Sequence, residues 1–273
     1  MALSPPSSVT AAHWRHLERV RAAMATRIEA MWRATGFEAA PITETVQMVL
    51  AGQKAIVATT DADLAAMGNL TTGTNGRPAG LQADRLIGRH ARNGVFLEDV
   101  YARPVTVARK SGFDRGLQHL RSAIYMDAQL AQRRAANAIV ESDTRIVGWR
   151  RQVNPGAGKV CGLCVAASTR RYSVQALLPL HPMCRCSVYP IYDTDPIRSA
   201  NYIDRERLNE VYARTNGSTD RSALGAIRFT ADDLPPGIDS EAIAKLGPRV
   251  AWHSEYGPYL TGARHDSSFA VSP

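Results

Sequence analysis

The stretch VCGLCVAASTRRYSVQALLPLHPMCRCSVYPIY, Val160 to Tyr192, holds all four cysteines of the 273-residue chain. Cys161 and Cys164 form Cys-x2-Cys. Sixteen residues later His181, Cys184 and Cys186 form His-x2-Cys-x-Cys. Four thiols and one imidazole at this spacing are the donor pattern of a closed tetrahedral zinc site, with one donor in excess. Cys161 and Cys164 make one knuckle, and Cys184 with either Cys186 or His181 completes the other. A thiolate-rich site leaves no open position for water, so the expected zinc is structural rather than catalytic. It would contribute on the order of 10 kcal/mol to folding a small subdomain. Reduced buried cysteines or a disulfide are the alternatives.

Working outward, two segments flanking the cysteines read as strands. Arg145 to Val153 (RIVGWRRQV) and Ser187 to Tyr192 (SVYPIY) are rich in β-branched and aromatic residues, and Asn154-Pro155-Gly156 forms a turn after the first. The cysteine cluster therefore lies between two strands of a small sheet pinned at one end.

Most of the remaining chain has helical periodicity. Apolar residues recur at steps of three and four over Thr10–Thr35 (Trp14, Leu17, Val20, Met24, Ile28, Met31), with Gly36 as the cap. A second helix is predicted over Thr43–Thr59 (Val46, Val49, Leu50, Ile56), and a short one restarts at Asp61 and runs through Met67. Thr71–Gly80 (TTGTNGRPAG) is a loop whose spacing fits no phosphate-binding pattern. Leu81–Arg92 reads as a helix ended by Asn93-Gly94, and Val95–Val107 as extended or mixed structure broken by Pro104. Phe113–Ser142 is the strongest later helix, with Leu117, Leu120, Ile124, Ala128, Ala131, Ala135 and Ala138 on one stripe. After Pro196 come a short helix (Asp204–Thr215), a turn (Asn216–Thr219), a linker (Leu234–Gly237), a further helical turn (Ser240–Leu246) and an aromatic, turn-rich end. The expected architecture is α+β and predominantly helical. A helical N-terminal region (1–94) precedes a small Cys/His-stapled α+β module (95–196) and an extended C-terminal part (197–273).

The formal net charge is +8. Between Arg133 and Cys186 nine basic residues face two acidic ones, so a local excess of seven surrounds the cysteines. Arg150, Arg151, Arg170, Arg171 and Arg185 are the candidates for contact with nucleic acid or a partner protein, against a plain solvated face. The opening residues, MALSPPSSVT, carry neither a basic nor an apolar secretory segment, and no apolar run reaches membrane-spanning length. A protein of the reducing cytoplasm with no membrane partner is expected. No Ser/His/Asp constellation or carboxylate pair stands out, and His90 and His119 lie in helical segments. An enzyme is not expected.

VCGLC, the RRY stretch (Arg170 to Tyr172) and above all HPMCRC followed by SVYP resemble the minor head proteins of tailed phages related to protein F of phage Mu. The similarity extends back through YARP (Tyr101 to Pro104), the Phe113–Ser142 helix and GWRRQV (Gly148 to Val153). The ending HSEYGPYLTGARH (His253 to His265) is similar to the tails of such proteins from actinobacterial phages. The resemblance implies a virion component that binds the portal protein, meets other head proteins and packaged DNA, and takes part in prohead assembly and DNA ejection. It would be made in the host cytoplasm and end in the capsid. The motif positions carried over are Cys161, Cys164, His181, Pro182, Cys184, Arg185 and Cys186. Some relatives lack the first cysteine pair, so membership alone does not imply a metal. The reading from another class is a stand-alone zinc-containing DNA-binding or nuclease protein.

Overall fold

The computed structural model describes residues 7–88, 92, 94–153, 160–173, 186–193, 205–218, 224, 226, 228–229, 249–253 and 257–261. The fold is α+β and predominantly helical. Five helices come first: α1 (Ser7–Thr35), α2 (Ile42–Thr72), α3 (Ala83–Leu86), α4 (Leu97–Ser111) and α5 (Phe113–Ser142). Then follow β1 (Ile146–Gln152), β2 (Val160–Cys161), α6 (Gly162–Ser168), β3 (Arg171–Tyr172), β4 (Ser187–Tyr192), α7 (Arg205–Ala213), β5 (Arg228–Phe229), β6 (Arg249–His253) and β7 (Gly257–Thr261). No described helix is long and apolar enough to cross a membrane.

Helices α1, α2, α4 and α5 share one apolar core. In α1 the buried stripe is Leu17, Met24, Ile28 and Trp32, and Gly36 closes the helix at φ +71° with its N–H on the Trp32 carbonyl. The Trp32 indole N–H donates to Thr45 Oγ1 at 2.7 Å, so the one polar atom of this buried ring is satisfied. Helix α2 runs unbroken where the sequence predicts a stop at Thr59 and a restart at Asp61. Thr60 bonds its own helix through the Ile56 carbonyl. The buried Asp61 carboxylate accepts three backbone N–H groups, from Ala79, Gly80 and Leu81, at 2.8 to 2.9 Å. The residue at which the sequence restarts a helix instead pins the following loop.

Helix α4 also departs from the sequence expectation of extended structure. Pro104 lies inside it, at a position that costs about 3 kcal/mol in an isolated helix. Leu97, Val100, Tyr101 and Pro104 are all buried at helical spacing, and this tertiary face outweighs the penalty. Among the described residues, the helix predicted over Leu81–Arg92 shrinks to the four residues of α3, because Ile87 turns extended and buries its side chain.

Helix α5 matches its predicted bounds but exceeds its predicted stripe. Every residue from Ala123 to Arg133 is buried, three full turns of the helix. Its polar members each hold a neighbour. Asp127 accepts from Arg92 Nε at 2.7 Å and from the Tyr101 hydroxyl at 2.5 Å. Gln132 accepts from Arg21 at 2.7 Å and lies 3.5 Å from His13 Nε2. His13 in turn meets Asp63 of α2 at 2.8 Å, and the half-exposed His16 shares the same carboxylate at 3.2 Å.

The sheet has strand order β3-β1-β4 and is antiparallel throughout. Trp149 pairs with Tyr172 on one side and Pro190 on the other. Pro190 is tolerated because β4 is at the edge of this sheet. All six residues of β4 are buried, since α2 and α1 cover the strand from the bundle side. The C-terminal segment, read as aromatic and turn-rich, contains the antiparallel hairpin β6–β7, with Val250 opposite Leu260 and Trp252 opposite Pro258.

Two outcomes are expected. Asp127→Ala removes the buried counter-charge of Arg92 and should lower stability by about 3–5 kcal/mol, read from the urea midpoint. Burial pushes the His13 imidazole below its ordinary value despite Asp63. Such a histidine stabilises the fold fully above its unfolded value near 6.5 and loses that contribution on acidification. Burial acts to raise Asp63, but its bonds to the two histidines prevail and hold it low, so its contribution is also lost toward acid. The thermal midpoint should fall between about pH 6.5 and 5, and His13→Asn, which keeps a neutral donor there, should make that fall shallower.

Candidate metal centre and arginine surface

Strand β2 and helix α6 deliver the first cysteine pair. Cys161 ends the strand with an extended backbone (φ −75°, ψ 149°) and is the N-cap of α6, so Cys164 lies within the first helical turn after it. The Cys164 N–H donates to Cys161 Sγ at 3.4 Å, and the two sulfurs are 3.2 Å apart. Cys164 is buried and Cys161 is half-buried. A backbone N–H aimed at the sulfur stabilises a thiolate, the form that binds metal. Two Zn–S bonds of 2.3 Å at the tetrahedral angle separate sulfurs by roughly 3.8 Å, which a small rotation of either side chain supplies here. The pair fits one half of a zinc site.

The rest of the expected donor set does not join it among the described residues. His181 and Cys184 lie outside them, as do Pro182 and Arg185. Cys186 is described and is buried just ahead of β4. No three His, Cys, Asp or Glu side chains among the described residues form a group able to hold a metal ion.

Cys186 is instead the centre of a layer that the sequence did not reveal. Arg133 of α5 donates to its sulfur at 3.5 Å and Arg151 of β1 at 3.8 Å. Both arginines are almost fully buried, at 4 % and 1 % exposure. The Arg151 guanidinium lies 5.0 Å from the Tyr172 ring centroid, and Arg170 lies 5.3 Å from the same ring. The desolvated Arg151 contact contributes about 2 kcal/mol. The Tyr172 hydroxyl donates to the Ala167 carbonyl at 2.7 Å, and burial pushes its pKa up, keeping it neutral.

The arginines expected to make contacts therefore divide. Arg151 is inside the protein. Arg150 points to the opposite face of β1, opposite Arg171 and Tyr189, and is half-exposed together with Arg170 and Arg171. Arg171 crosses the strand and donates to the Val147 carbonyl. That crossing needs Gly148, where an added Cβ would stand 2.5 Å from Arg171 Nε and 2.7 Å from the Tyr172 carbonyl oxygen. Burial lowers the Arg171 pKa without neutralising it.

A separate cleft of about 340 Å³ opens between α2, the loop after it, the end of α5 and Tyr192. Its walls are largely self-satisfied: Arg145 donates to both Asp143 oxygens at 2.8 and 2.7 Å, and Asp61 is capped by the loop. Tyr192 is pushed up to about 12, first of all by burial.

The chain matches no family model, no curated protein and no solved structure.

Tyr172→Phe keeps the ring over both arginines and loses the hydroxyl's bonds to the Ala167 carbonyl and to Arg151, so it should cost about 1–2 kcal/mol. Tyr172→Ala removes the lid as well and should cost about 3–5 kcal/mol. Urea unfolding of the two variants measures the difference.

Proposed function

We propose that this chain is a structural virion protein, a minor head protein of the Mu protein F type. In this reading it is made in the host cytoplasm, associates with the portal and other head proteins during prohead assembly, and takes part in DNA passage at ejection. The observation that carries the reading is the motif set of Cys161, Cys164, His181, Pro182, Cys184, Arg185 and Cys186, with RRY between the two groups and SVYP after them. The role is one of contact rather than catalysis.

Two features of the fold support the reading. The Cys-x2-Cys thiols are held together at a strand–helix junction, as one half of a structural zinc staple would be. That staple would pin a small sheet that carries Arg150 and Arg171 on one face, with Arg170 half-exposed beside Tyr172. Three guanidinium groups suffice for a shallow contact with packaged DNA, with a log–log salt slope of about −3. The four-helix core provides a rigid body for docking on a large assembly.

Co-expression with the portal protein of the same phage should yield a complex that survives affinity purification and size exclusion. If the portal is not captured and the isolated chain binds duplex DNA tightly and saturably, the stand-alone zinc-containing DNA-binding or nuclease reading is favoured instead.

A further inference from the structure

We propose that the cleft between α2, the loop after it and the end of α5 binds a carboxylate carried on a short apolar chain. The carboxylate comes from a free acid or from the C-terminal residue of a peptide. The cleft encloses about 340 Å³, at the lower end of the range for small-ligand pockets, about 300–1,000 Å³. It owes nothing to the cysteines, and portal association neither requires nor excludes it.

One wall is a loop held in place without a core of its own. Every residue from Gly73 to Gly80 is exposed, so no buried side chain anchors this segment. Two side chains of α2 anchor it instead. Asn69 donates to the Gly76 carbonyl at 2.8 Å and accepts the Gly76 N–H at 2.6 Å. Asp61 holds Ala79, Gly80 and Leu81. Arg77 lies between these two clamps and lines the cleft, so its exposed guanidinium is carried on a backbone already ordered before any ligand arrives.

The acids of the cleft are matched and its donors are not. Asp61 is taken by three backbone N–H groups, and Asp143 by Nε and Nη2 of Arg145. Among the described residues the Arg77 guanidinium forms no ion pair or hydrogen bond. The Nη1 edge of Arg145 has one long bond, 3.4 Å to Thr74. Tyr192 is the third donor. Its side chain is 3 % exposed, and its hydroxyl makes no hydrogen bond among the described residues. That hydroxyl stands over Gly68, a fellow lining residue, and leaves no room for a Cβ there. Burial first of all pushes its pKa up to about 12, so it remains a donor throughout the neutral range. Two guanidinium edges and one hydroxyl suit a singly charged oxyanion, while the Asp143 carboxylate on the same wall opposes a doubly charged one. Leu64, Ala65 and Ile139 supply the apolar surface for the few carbons attached to it.

The test titrates the full, isotope-labelled chain with three probes and follows its amide resonances by NMR. Isovalerate stands for a free acid, N-acetyl-leucine for a peptide C-terminus, and inorganic phosphate for a more highly charged anion. At least one of the two acids should shift the amides of Gly68, Gly76 and Arg77 saturably, with a Kd on the order of 1 mM. The tighter of the two identifies the source, and phosphate should bind at least about tenfold more weakly. Arg77→Ala and Tyr192→Phe should each weaken the acid about tenfold. Both should leave the thermal midpoint unchanged, because neither group has a partner to lose among the described residues. The proposal is overturned if neither acid saturates, or if either variant binds as wild type does. Phosphate binding as tightly as the acids would overturn the assigned ligand class.

Discussion

Three consecutive turns of α5, from Ala123 to Arg133, are buried around the whole circumference of the helix. That constraint organises the protein. A helix enclosed on all sides cannot turn its polar residues to solvent, so each of Asp127, Gln132 and Arg133 is matched from a different direction. Arg92 and Tyr101 reach Asp127, Arg21 reaches Gln132, and Arg133 reaches Cys186. Each match fixes the rotation of α5 relative to another element. Alanine at positions 123, 128, 131, 135 and 136 lets the neighbouring backbones come close enough for these bonds to form.

The same helix crosses from one core to the other. Its middle packs into the bundle and its last turns, Ala136, Ile139 and Val140, pack with Trp149, Tyr172 and Tyr189 of the sheet. The junction is electrostatic as well as apolar. Arg133 and Arg151 contribute to the formal charge of the cysteine region yet are held inside, on a thiol and an aromatic face. The basic surface presented to a partner is thus smaller than the composition suggests. Of the arginines read as contact candidates, the described ones at the surface are the half-exposed Arg150, Arg170 and Arg171.

The sequence made some elements plain and hid others for physical reasons. The bounds of α5 and β4 follow from periodicity and from β-branched and aromatic content, and both agree with the structure. The break assigned within α2 failed because Thr60 and Asp61 have the chemistry of a cap, and only the distant loop at Ala79–Leu81 shows where the carboxylate goes. Pro104 misled in the same way: its local penalty is real, but Leu97, Val100 and Tyr101 outweigh it through contacts remote in sequence. At the candidate site, the closeness of Cys161 and Cys164 was legible from their spacing. The arginine layer was not. Arg133 sits in a run of alanines with no apolar stripe to mark it as inward, since every direction around that part of α5 is inward. Its one cue was the excess of arginine around the cysteines, which reads equally well as a surface.

The central claim is that this chain is a portal-associated component of a phage head. Asymmetric reconstruction of purified, DNA-filled virions, combined with quantitative mass spectrometry, tests it most directly. The account predicts the chain in a few copies per particle, with density at the portal vertex inside the head. Its absence from intact virions, with the protein found only in the soluble fraction of infected cells, would contradict the claim.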